Sequence, residues 1–191
     1  MAMPGHDPRR RERRPPKPLD PVRLEELALA YVARFATSAG KLSAYLNRKL
    51  RERGWAGEAE ADPAAIVSRY VELGYIDDAG FARAKAGSLR RRGYGERRVA
   101  QALVAAGIGE AEREEARGLL REQREAALTM ARKRGFGPFT RAAAAPDDAR
   151  RLREKQLAAM LRAGHPLEMA RVLVDAPSIE VAEEWAGEDE A

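Results

Sequence analysis

The stretch LGYIDDAGFARAKAGSLRRRGYGERRVAQALVAAGI, Leu73 to Ile108, decides the fold. It reads as turn, helix, turn, helix, turn. Gly74-Tyr75 closes whatever helix precedes it. Asp77 or Asp78 can cap the next helix, because a short side-chain oxygen satisfies the free backbone N–H groups at a helix start. Phe81, Ala84 and Leu89 recur at helical spacings until Gly93-Tyr94-Gly95 breaks the pattern. Val99, Ala102, Leu103 and Ala106 draw one apolar stripe along a second helix, which Gly107 ends. The basic side chains Arg83, Lys85, Arg90, Arg91, Arg92, Arg97 and Arg98 surround the joint of the two helices. Glu96 is the only acid between Phe81 and Arg98.

The same pattern extends in both directions. Upstream, Leu24, Leu27, Ala28, Tyr31 and Phe35 follow the spacing of an amphipathic helix. Thr37 or Ser38 can cap a second, striped by Leu42, Tyr45, Leu46 and Leu50 and stopped by Gly54. Asp62-Pro63 opens a third, through Ile66, Tyr70 and Leu73. These make a three-helix unit over 22–75. The unit recurs over 76–121, with helices at 77–92, 95–106 and 109–121, the last through Ala116, Leu119 and Leu120. The registers agree: Leu50 and Leu103 each precede a glycine by four residues, Leu46 and Val99 by eight. A third copy over 122–176 has helices at 122–134, 148–163 and 166–175, with Met160 four residues before Gly164 and a loop, 135–148, inserted after the first helix. A unit of about 50 residues has a thin core alone, and stacking copies buries more apolar surface. The expected fold is all-α, an elongated array of three tandem three-helix repeats. Residues 1–21, rich in proline and arginine, read as a disordered basic arm. Residues 177–191 read as an acidic tail with Trp185 as its large anchor, either a short helix that docks back or loose chain.

The formal charge of +5 over 191 residues is unevenly spread. Residues 1–18 carry a net +4, the last twelve −6, and the body between about +7, a balance that attracts polyanions. The arginine cluster at 90–92 and 97–98 suits phosphate or carboxylate, since a guanidinium binds either bidentately; a solvated helix face is the other reading. The chain has no cysteine, which excludes disulfides, thiolate metal sites and cysteine nucleophiles. His6 and His165 are far apart in sequence. Gly93-Tyr94-Gly95 and Gly135-Phe136-Gly137 follow no expected strand and punctuate helices rather than cradle phosphates. Asp77-Asp78 has no nearby companion ligands and reads as capping, and His165 as a surface turn residue. With no nucleophile–base pair, metal constellation or phosphate loop, the chain is not expected to be an enzyme or to need a metal or cofactor. No apolar run reaches the ~20 residues that span a bilayer, and no apolar export segment stands near the N-terminus, so a cytoplasmic location is expected.

The order of these motifs resembles a known family. GYIDDAGFA at 74–82, an arginine-rich helix, the RRRGY turn ending at Tyr94, RRVAQAL at 97–103 and the Gly107-Ile108 turn look like the signature of RecX, the bacterial regulator of RecA recombinase. The resemblance implies tandem three-helix repeats and no catalysis. It implies binding to the RecA–single-stranded DNA filament, with filament growth, strand exchange and ATP hydrolysis restrained, and so a role in recombination, DNA repair and the SOS response. The seven basic residues named above take the contact positions; Gly74, Tyr75, Asp77, Asp78, Phe81 and Gly107 take the structural ones. The expected partners are the RecA nucleoprotein filament and single-stranded DNA, approached by a monomer away from any membrane. The alternative is a helix-turn-helix-like DNA-binding protein, transcriptional or architectural, which sequence preference on duplex DNA and dimer symmetry would reveal.

Overall fold

Aspartates placed one residue before apolar stripes start three of the helices. Asp20, Asp62 and Asp77 accept hydrogen bonds from the backbone N–H groups of Arg23, Ala65 and Gly80 at 2.8, 2.9 and 2.8 Å. The computed structural model describes residues 17–140 and 146–188. Residues 1–16 of the expected arm, 141–145 of the inserted loop and 189–191 of the tail lie outside the described residues.

The first three helices are α1 (Pro21–Arg34), α2 (Ala39–Arg53) and α3 (Pro63–Glu72). They close on Leu24, Ala28, Leu42, Leu46, Ile66 and Tyr70. The Tyr70 hydroxyl donates to Glu25 at 2.8 Å, and Arg69 pairs with the same carboxylate. Burial, and then that hydrogen bond, push the Tyr70 hydroxyl up to about 12. The expected arm is anchored from Lys17 onward: Leu19 is fully buried and pairs with Trp55 as an isolated bridge.

The next three are α4 (Asp78–Arg91), α5 (Glu96–Val104) and α6 (Glu110–Glu115). Their cluster is built largely of small residues, Ala82, Ala86, Ala106 and Ala116 around Val99, Leu103 and Ile108. Each alanine removes less apolar surface from water than a leucine, so polar ties carry more weight here. Arg90 supplies the main one. Its side chain is 11% exposed, gripping Glu96 with two hydrogen bonds of 2.5 and 3.2 Å and the Ala116 carbonyl at 2.6 Å.

That tie changes an expected boundary. The helix expected over 109–121 stops at Ala116, because Arg90 takes its terminal carbonyl and fills the space beside Gly118. Leu119 is 71% exposed, and its N–H is capped by Glu122 at the start of the following helix. Leu119 and Leu120 therefore open the third unit and do not stripe the second.

The third unit holds α7 (Leu120–Arg134), α8 (Pro146–Arg162), α9 (Leu167–Val174) and α10 (Ile179–Gly187). Of the two readings of the acidic tail, the docked helix is the one observed, with Ala182 and Ala186 buried against Ala127, Met160 and Leu173. Arg124 stands 5.3 Å over the Trp185 ring, and Arg132 pairs with Glu183. Gln156 occupies the position that Leu46 and Val99 hold in the other units. It is buried, accepting from the Gly137 N–H at 3.0 Å and donating to Thr140 Oγ1 at 3.3 Å. A short 3-10 turn, Gly137–Phe139, is fastened by these bonds where a plain loop was expected.

The joints between units repeat. The first turn of α2 meets the C-terminal turn of α5, with Gly40 so near Gly107 that a Cβ on either would lie 2.6–2.7 Å from the other's Cα. Ser38 donates to the Ala106 carbonyl at 2.5 Å, and Asp78 accepts from the Ala39 N–H at 2.9 Å. So Asp77 caps its own helix and Asp78 caps the helix of the preceding unit. The start of α5 meets the C-terminal turn of α8 in the same way, Gly95 against Gly164. There the Gly95 N–H donates to Ala163 at 3.0 Å and the Arg97 guanidinium to Leu161 at 2.7 Å. Positive helix starts face negative helix ends at both joints, a favourable arrangement. His165, expected on the surface, is 3% exposed in the second joint. Its Nε2 lies 3.0 Å from the Gly93 carbonyl, and burial lowers its affinity for a proton.

Candidate functional site

Three helix ends converge where the second unit meets the third. The turn after α4 brings Arg92, the end of α7 brings Lys133 and Arg134, and the end of α8 brings Arg162; Arg98 comes from the first turn of α5. Each helix end places its cations just before a glycine, Gly93, Gly135 or Gly164, where the helix dipole favours positive charge. Together they line a cleft of about 350 Å³ floored by Tyr94, Met130 and Ala163. All five cationic side chains are exposed, and no carboxylate is among the residues lining the cleft. The Arg92 guanidinium lies 5.3 Å over the Tyr94 ring, which holds it in place at little cost in side-chain freedom. An uncompensated group of this kind raises the local concentration of polyanions and offers guanidinium forks to phosphate or carboxylate.

A second, larger cleft of about 600 Å³ lies between the first and second units, and Arg92 borders both. Its rim also holds Lys41 and Lys85, over a wall that includes Phe35, Tyr75 and Phe81. The shared arginine sets the two clefts side by side along the array.

The structure separates the seven basic residues that the sequence groups together. Arg92 and Arg98 stand in the cationic cleft, and Lys85 and Arg92 in the larger one. Arg90 is committed to Glu96 and Ala116 and holds the second unit together. Arg97 is exposed but donates to the Leu161 carbonyl across the joint. Arg83 and Arg91 are exposed and line neither cleft; the Arg91 carbonyl accepts from Lys133 at 3.3 Å. Among the structural positions, Tyr75 is 56% exposed with its ring edge-on to Tyr70, and Lys41 stands 4.9 Å over the Phe81 ring. Gly74 and Gly107 take positive φ of 72°, as turn glycines do. Sequence reasoning missed Lys133, Arg134 and Arg162. The signal was present as the cation-then-glycine pattern at the ends of α7 and α8, which repeats that of the RRRGY turn.

Over 181 residues the chain is 32% identical to the regulatory protein RecX of Myxococcus xanthus, covering 90% of this chain and 95% of that one. The chain belongs to the RecX family. RecX of Thermus thermophilus is 41% identical over 83 residues, covering 44% of this chain and 55% of its own. RecX of Mycobacterium sp. strain JLS is 32% identical over 123 residues, 56% of this chain and 65% of its own. No family model matches the chain. The crystal structure of RecX from Lactobacillus salivarius superposes with a TM-score of 0.60 at 18% identity, over 80% of this chain and 93% of that one. The RecX fold is therefore shared well beyond the reach of sequence identity. The relatives are named as regulatory proteins, and a regulatory role is assigned to this RecX family member. Among the described residues, no helix is long and apolar enough to cross a membrane, and no group of three or more His, Asp or Glu side chains is gathered as a metal site would need.

Proposed function

We propose that this protein binds the RecA–single-stranded DNA filament and restrains its growth and ATP hydrolysis, acting by attachment and not by catalysis. The observation that carries the proposal is the cleft of Arg92, Arg98, Lys133, Arg134 and Arg162 with no carboxylate lining it. Five cations drawn from three helix ends and one helix start suit a phosphodiester backbone or an acidic protein face. An array of units at fixed spacing can follow a helical polymer and engage it at several weak points, which multiplies affinity. The stacked joints keep those points in register.

The test uses Arg98, Arg134 and Arg162, whose guanidinium groups have no hydrogen-bond partner among the described residues. Replacing all three with alanine leaves helicity unchanged and abolishes inhibition of RecA ATP hydrolysis on single-stranded DNA. If single-strand phosphates supply the contacts, the dependence of log affinity on log salt becomes shallower by about 2. Full inhibition by the folded triple variant would refute the site. Sequence-specific retention on duplex DNA, with no effect on RecA, would refute the function.

A further inference from the structure

The cleft between the first and second units differs in chemistry from the cationic one beside it. Its walls are apolar: Val32, Ala36, Ala84 and Leu89 face it together with the aromatic rings. Phe35 and Tyr75 are 55% and 56% exposed there, a large apolar area for a protein to leave in water at one place. The rim carries Lys41, Lys85 and Arg92. Asp77 is the one acid lining the cleft, and its carboxylate already accepts from the Gly80 N–H at 2.8 Å. A volume of about 600 Å³ lies within the range of sites that enclose a bound group.

We infer that this cleft docks an extended or helical segment of a protein partner, one carrying aromatic or large aliphatic anchors flanked by carboxylates. The anchors fill the apolar hollow, and Asp or Glu side chains meet Lys41, Lys85 and Arg92. Charge complementarity selects the flanks, because the rim offers three cations and no free acid. Central apolar anchors inside a polar rim are the usual layout of a protein contact. Nucleobases stack on open ring faces; Lys41 takes one face of Phe81 at 4.9 Å and Arg34 one face of Phe35 at 5.9 Å, which makes these rings a poorer platform for bases than for side-chain anchors. Arg92 borders both clefts, and substitutions at Lys85 and Phe35, which line this cleft and not the cationic one, separate them.

The probe is a fluorescein-labelled 12-residue synthetic peptide with Phe and Leu three residues apart, flanked by Asp and Glu. Anisotropy with the full chain measures its binding. Controls replace the acids with Lys, replace the anchors with Ala, or substitute a thymidine oligonucleotide. The expected result is saturable binding of the acidic anchored peptide only, weakened about tenfold by Lys85→Glu and abolished by Phe35→Ser. Both positions are partly or largely exposed, so the fold is retained. Amide chemical-shift changes on titrating the unaltered protein provide a readout free of mutation, and they should centre on Gly74, Gly80 and Ala84. Equal binding of the Lys-flanked peptide, no loss with Lys85→Glu, or shifts centred elsewhere would each overturn the inference. So would displacement of the peptide by the oligonucleotide from wild type and from the Arg98/Arg134/Arg162 variant alike.

Discussion

Replacing Arg90 with alanine should unfold this protein more readily rather than merely weaken its contacts. The side chain is 11% exposed and spans the second unit, holding Glu96 by two hydrogen bonds and the Ala116 carbonyl by a third. Its loss leaves a carboxylate only 19% exposed and a helix-terminal carbonyl, both without their partner. Breaking a buried ion pair from one side costs 3–5 kcal/mol, and the partial access of water to Glu96 puts the cost here at about 3 kcal/mol. For a chain of this size that corresponds to a fall in Tm of roughly 6–12 °C. Thermal melting followed by circular dichroism reads it directly. Arg91→Ala, an exposed neighbour, is the control and should change stability by less than about 0.5 kcal/mol. Adding Glu96→Gln to Arg90→Ala should recover part of the loss, because the unpaired charge is removed. An Arg90→Ala protein that melts within about 1 °C of wild type and has lost its effect on RecA would refute the reasoning, and would make Arg90 a surface contact.

The joints and the buried histidine give two further predictions. Gly74 and Gly107 both have φ of 72° and end their helices with the same pattern of backbone hydrogen bonds, but a Cβ at Gly74 meets nothing within 4 Å while one at Gly107 meets Gly40. Gly74→Ala should therefore cost only the left-handed backbone strain, about 1–2 kcal/mol, and Gly107→Ala about 1–3 kcal/mol more from overpacking; equal losses in denaturant melts would rule out a tight joint. Burial holds His165 below its ordinary proton affinity, outweighing the hydrogen bond to the Gly93 carbonyl, which favours the protonated ring. As pH falls through about 6.5 the unfolded chain takes up a proton that the folded chain resists, so stability is complete above that pH and declines below it. Melts at pH 7.5 and 5.5 should show this loss in wild type and not in His165→Gln, and an identical loss in both would dismiss His165 as its source.

Much of the fold is legible in the residues. The stripes through Leu42 and Leu46, and through Val99 and Leu103, lie on helices where their spacing puts them, and all four side chains are buried. Of the two glycines that end those stripes, Gly107 becomes a joint surface against Gly40, while Gly54 stands in open space. Gln156 breaks the repeated apolar position, and it marks where the inserted segment is fastened. The site is less legible. A run of arginines announces charge, yet one of its members is a strut, one bridges a joint and two face solvent away from both clefts. The cations that complete the cationic cleft, Lys133, Arg134 and Arg162, stand 35 to 70 positions beyond Arg98 and Arg92.

The division has a physical origin. Periodicity, capping aspartates and turn glycines act over three or four residues, so the chain's order alone determined the all-helical units and their repetition. Whether a guanidinium is spent or free depends on what arrives across space. Arg90 finds Ala116 across 26 positions once the second unit has closed, and Arg97 finds Leu161 across 64 once the second and third units have stacked. The docking of α10, the early end of α6 and the meeting of Arg92 and Arg98 with Lys133, Arg134 and Arg162 belong to that same tertiary step.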